Sequence, residues 1–122
     1  MTPAAGRLTT HVLDTAHGRP AAGVAVELAR LDGQRTVLAS VRTNADGRTD
    51  APLLEGTALI PGVYELVFAI GDYFAAEAAG APAGGRPVLG VVPIRFGVAD
   101  AGAHHHVPLL ASPWSYTTYR GS

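Results

Sequence analysis

The chain has 122 residues, 48% of them hydrophobic and 16% charged, with a formal net charge of −1; these are the proportions of one folded domain, 1–122, and not of a disordered chain. No basic tract is present to hold nucleic acid or an anionic membrane surface. Cysteine and lysine are both missing, which removes disulfides, thiolate nucleophiles, Schiff-base chemistry and a phosphate-loop lysine.

Met1–Arg7 lacks the apolar run of a secretory leader, and no apolar stretch approaches the ~20 residues of a membrane helix. A cytoplasmic protein is expected. Leu8–Asp14 reads as the first strand. Val24–Leu31 alternates, with Val24, Val26 and Leu28 on one face and Ala25, Glu27 and Ala29 on the other. Asp32-Gly33 is a turn signal, and Thr36–Thr43 is the return strand. Asn44-Ala45-Asp46-Gly47 marks another turn, with Arg48 directly after it. Val63–Ile70 has the cleanest period of two, placing Tyr64, Leu66, Phe68 and Ile70 in the core. Asp72–Ala79, rich in alanine behind a possible Asp cap, is expected to be the one short helix. Gly80–Pro87 is a glycine- and proline-rich loop. Val91–Val98, His104–Leu110 and Trp114–Arg120 complete the strands. Seven or eight short strands in one domain predict an all-β, two-sheet sandwich.

Chemistry concentrates in a few places. Alternation puts His104 and His106 on one strand face and His105 on the other. Two histidines so spaced suit a transition metal, an acid–base pair, or simply a solvated strand entrance. His11, inside an apolar run, must face solvent, a partner or a cavity. His17 sits in a polar turn and is expected to be exposed. The Arg48 guanidinium has the planar fork that grips carbonyls or carboxylates, but an arginine after a hairpin turn is also ordinary surface. The segment Tyr116–Ser122 is polar, aromatic and basic, and is expected to be built into a site. No acidic pair, nucleophile elbow or dinucleotide fingerprint is found.

Three strings, taken together, are more specific. Leu8-Thr9-Thr10-His11-Val12-Leu13-Asp14-Thr15-Ala16-His17-Gly18-Arg19-Pro20-Ala21 resembles the opening signature of the 5-hydroxyisourate hydrolases, the transthyretin-related proteins. Thr43–Arg48 resembles their internal arginine segment. His106–Ser122, including Tyr119-Arg120-Gly121-Ser122, resembles their C-terminal signature. His105, in place of a common tyrosine, and Thr117, in place of a common serine, are the departures.

The resemblance implies a transthyretin-like (prealbumin-like) sandwich of about eight strands with one short helix, assembled as a homotetramer, a dimer of dimers with sites in the channel between dimers. It implies hydrolysis of 5-hydroxyisourate to 2-oxo-4-hydroxy-4-carboxy-5-ureidoimidazoline in urate degradation, with no cofactor and no metal. The implied catalytic residues are His11, Arg48, His106 and Ser122, with Tyr119, Arg120 and Gly121 joining His11 and Arg48 in substrate binding. Which histidine acts as base is left open. Three alternatives stand beside this one: a transthyretin-like carrier that binds small ligands without turning them over, a β-sandwich adhesion or carbohydrate-binding module, which would need neither His11 nor the Tyr119–Ser122 ending, and a zinc site at His104 and His106.

Overall fold

The computed structural model describes residues 6–77 and 87–121. Its strands are β1 (Arg7–Thr9), β2 (Val12–Asp14), β3 (Arg19–Pro20), β4 (Ala25–Leu31), β5 (Arg35–Arg42), β6 (Leu54–Glu55), β7 (Gly62–Phe68), β8 (Val92–Val98), β9 (His104–His106), β10 (Leu109–Ala111) and β11 (Tyr116–Thr118). A 3-10 turn at Gly56–Ala58 precedes β7, and one α-helix, α1 (Ile70–Glu77), follows it. No helix among the described residues is long and apolar enough to cross a membrane.

One layer is the antiparallel sheet β5-β4-β7-β8. The other has two halves, β6-β1-β9 and β11-β10-β2-β3. Parallel pairing runs through both halves, with Arg7–Thr9 against His104–His106 and Val12–Asp14 against Leu109–Ala111. Across the gap Val107 N–H donates to Thr9 O at 3.0 Å and Leu109 N–H to His11 O at 2.9 Å. The expected strands Leu8–Asp14 and His104–Leu110 are therefore present, each divided in the middle, where Pro108 has no N–H to give the ladder. The two-residue strands β3 and β6 escaped the reading because two residues carry no periodicity.

The core lies between the layers. Leu8, Val12, Leu109 and Ala111 come from one side, and Val26, Leu28, Tyr64, Leu66, Phe68 and Val92 from the other. Each large apolar side chain so buried stabilises the fold by roughly 1.5–3 kcal/mol. Tyr64, Leu66, Phe68 and Ile70 are all fully buried, as their alternation predicted. Ile70, however, already belongs to α1, which begins two residues before the expected Asp72. Ile70, Gly71, Tyr73 and Phe74 form its buried face, the stripe that binds a helix to a sheet. Ala29 keeps the face expected of it, opposite Leu28, since it pairs with Glu65 while Leu28 pairs with Leu66; it is nevertheless buried on that face. The β4–β5 register shift between Leu28 and Ala29 leaves Leu38 of β5 as the extra residue of a bulge. Of the expected helix and loop, residues 78–86 lie outside the described residues.

Candidate active site

The outer face of the divided layer carries the polar residues. Leu8, Thr10 and Val12 point into the core, so Arg7, Thr9 and His11 point outward. On β9 the same alternation buries His105, whose Nε2–H donates to Asp100 O at 2.6 Å, and leaves His104 and His106 half-buried on the outer side. Thr9 is Cα partner to His106. Its Oγ1 lies 2.7 Å from His104 Nε2 and 2.8 Å from His106 Nδ1.

Arg48 reaches this face from the turn before it. Asn44 Oδ1 accepts from the N–H groups of Asp46 and Arg48, at 2.9 and 3.2 Å. Gly47 closes the turn at φ +75, and a Cβ there would lie 2.3 Å from Val12 O. Only glycine meets both the positive φ and the close approach. Val12 N–H donates to Gly47 O at 2.7 Å, and His11 pairs with Arg48 in an antiparallel bridge. His11 Nε2–H donates to Asp46 O at 2.8 Å. A carbonyl can only accept, so neutral His11 carries its proton on Nε2.

Arg7, Thr9, Thr10, Arg48, His104 and His106, together with the segment Thr49–Pro52, line a cleft of about 470 Å³. Burial and then Arg48, followed by His104 and His11, hold His106 below the usual histidine range. His11 is likewise lowered, by burial and then Arg48, and His104 by burial, then Arg7 and His105. Two imidazoles kept neutral, His104 and His106, line this cleft with the guanidiniums of Arg7 and Arg48, so proton acceptance at neutral pH and stabilisation of negative charge meet in one place, with His11 paired to Arg48 beside it. Among the described residues no three histidine or carboxylate side chains gather as a metal site would require.

Gly121 also meets His106. Its N–H donates to His106 O at 2.7 Å, and its Cα packs against the imidazole.

Comparison with known proteins bears on this arrangement. Residues 8–121 match the model of the HIUase/Transthyretin family. The chain belongs to the HIUase/transthyretin family. A 5-hydroxyisourate hydrolase of Ralstonia nicotianae is 60% identical over 118 residues, which span 96% of this chain and 99% of that protein. The solved 5-hydroxyisourate hydrolase of Klebsiella pneumoniae superposes with a TM-score of 0.79 at 38% identity, over 96% of this chain and 99% of that one. Transthyretin from Sparus aurata superposes with a TM-score of 0.82 at 27% identity, over 94% and 96%.

Within this family member the expected site residues divide into two groups. His11, Arg48, His106 and the backbone of Gly121 come together. Tyr119 is 56% exposed, and neither it nor Arg120 lines the cleft of the single chain. Ser122 lies outside the described residues. His17 is exposed as expected, although its Nδ1 lies 2.6 Å from the buried Asp14 carboxylate. Arg7 and Thr9 line the cleft without having been named among the catalytic or substrate-binding residues. The parallel register that sets them beside His104 and His106 spans nearly the whole chain, and no local motif announces it.

Proposed function

We propose that this protein hydrolyses 5-hydroxyisourate, the substrate that the names of its relatives state for them, and that the product is 2-oxo-4-hydroxy-4-carboxy-5-ureidoimidazoline. One observation carries the reading to the residue level: a neutral imidazole, His106, and a guanidinium, Arg48, line the same cleft. The substrate is a flat, carbonyl-rich ring. His106 takes a proton from water through Nε2, the nitrogen not engaged by Thr9. The hydroxide so formed adds to the ring lactam carbonyl while Arg48 stabilises the oxyanion. Collapse breaks the carbon–nitrogen bond, and the departing nitrogen receives the proton from His106, leaving a carboxylate and a ureido group. His11, with Nε2 committed to Asp46, braces the Arg48 turn and faces substrate with its other nitrogen. Tyr119, Arg120, Gly121 and Ser122 complete the binding surface, with Ser122 assigned to the proton network. No cofactor or metal enters these steps.

In this reading the exposed Tyr119 and Arg120 act in a homotetramer, where the outer face of one subunit meets that of another. Leu13 and Leu110 are half-buried on that face, and Trp114 and Tyr116 are 69% and 45% exposed beside it. We place the chemistry in the cytoplasm; cell fractionation tests it.

Freshly generated 5-hydroxyisourate decays spontaneously and absorbs in the ultraviolet, so its decay with and without protein is the direct test. Acceleration in proportion to protein concentration is expected. A rate equal to the spontaneous baseline, with ligand binding retained, would make the protein a carrier.

A further inference from the structure

Two histidines share one threonine hydroxyl in this cleft, and the hydroxyl has a single proton to donate. With both rings neutral, Thr9 Oγ1 can donate to only one of them and must accept from the other. In one arrangement His106 Nδ1–H donates to Thr9, Thr9 O–H donates to His104 Nε2, and His106 Nε2 is left as an unprotonated acceptor. In the other the directions reverse, the proton of His106 sits on Nε2, and the ring cannot serve as a base there. Protonated His106 must donate from both nitrogens, so it is compatible only with the first. A base held in that arrangement takes up a proton without any hydroxyl rotating.

We propose that Thr9 is a positioning residue that locks His106 in its Nδ1–H tautomer, with Nε2 free for catalysis, by donating its own hydroxyl proton to neutral His104. His104 is then a positioning residue as well, the terminal acceptor of the chain His106–Thr9–His104. This assignment deepens the hydrolase reading and rests on it for its kinetic consequences. The surroundings favour the lock. Arg48 and His11 face His106 from the turn and the β1–β2 junction, and Arg7 on β1 stands beside His104. Burial, with the Arg48 guanidinium beside His106 and that of Arg7 beside His104, keeps both rings neutral, the state the chain of donors requires. Asp50 is the one carboxylate lining the cleft among the described residues.

The test combines nitrogen-15 NMR of the histidine side chains with pH–rate profiles for wild type, Thr9→Ser and Thr9→Val. Wild type and Thr9→Ser, which keeps the hydroxyl, should show His106 as the Nδ1–H tautomer above the histidine titration range and should share one acid limb. Thr9→Val, nearly isosteric but without the hydroxyl, should lose that tautomer preference. Its kcat should fall about 10-fold or more, with KM little changed and the acid limb displaced, as expected when a general base is wrongly oriented. Should Thr9→Val not fold, as judged by circular dichroism and elution volume, His104→Phe removes the terminal acceptor instead. It should produce the same loss of tautomer preference. Wild-type His106 found as Nε2–H, or a folded Thr9→Val with unchanged tautomer, kcat and pH profile, would overturn the proposal. Failure of the wild type to accelerate 5-hydroxyisourate decay would instead remove the hydrolase reading, while the NMR spectra still decide the lock.

Discussion

His106 and Arg48 are coupled by charge as well as by place. A base must be neutral to act, and the surroundings of His106 lower its proton affinity from the usual value near 6.5. The midpoint of the acid limb in a kcat/KM profile against pH should therefore lie below about 6.5. Replacing Arg48 removes the second-largest of these influences. Arg48→Ala should then move the acid limb to higher pH while lowering turnover ~10²-fold or more, and His106→Ala should lower it at least as much. A folded Arg48→Ala variant at near-normal rate would take the guanidinium out of the mechanism. Gly121 has no reactive group, yet it governs where one stands. A Cβ there would lie 2.8 Å from His106 Cδ2 and 3.2 Å from its Cβ, so any larger residue displaces the ring or the segment that carries Tyr119 and Arg120.

Among the elements, β2 and α1 are joined by a single carboxylate. Asp14 is fully buried at the end of β2 and accepts from Tyr73 Oη on α1 at 2.8 Å, from His17 N–H at 2.9 Å, and contacts His17 Nδ1 at 2.6 Å. Burial alone would raise its pKa; the Tyr73 and His17 bonds outweigh burial and hold it below the usual carboxylate value. Tyr73 is pushed the other way, to about 12, by burial and by the same bond. The sign of the pH effect follows. A depressed carboxyl contributes stability that is present above its unfolded pKa, near 3.8, and is lost as pH falls through the lower folded value. Asp14→Asn should cost roughly 1–3 kcal/mol at neutral pH, the range for disturbing a buried hydrogen-bonded acceptor, read as a lower urea midpoint. The difference from wild type should shrink on acidification below about pH 3.8. Equal midpoints at pH 7 would show that the helix is held by its apolar face alone.

At the scale of the whole molecule, the outer face of the divided layer carries the proposed catalytic residues and is also the one proposed to meet another subunit. β11 and β8 are edge strands, and an unpaired edge is a natural place for a second chain to add. If Tyr119 and Arg120 complete a site across subunits, specific activity should fall as the protein is diluted below its assembly constant, in step with the mass measured by light scattering. A monomer with full specific activity would confine the site to the cleft of one chain.

The sequence by itself determined the fold class. Its short alternating runs, broken by turns at Asp32-Gly33 and Asp46-Gly47, can bury one face only by stacking two sheets, and Tyr64, Leu66 and Phe68 fix which face is buried. It also determined that His105 turns away from His104 and His106, because alternation on a strand is local geometry. Its strings carried the family as well. What the tertiary structure alone decided is long-range. The Thr9 hydroxyl reaches His106 across 97 positions of sequence, His11 finds Asp46 across 35, and Gly121 packs on the ring of His106. Pairing partners, bulges and the division of a strand at Pro108 depend on which segments meet. That choice is made by burial summed over the whole chain, not by any residue's neighbours in sequence.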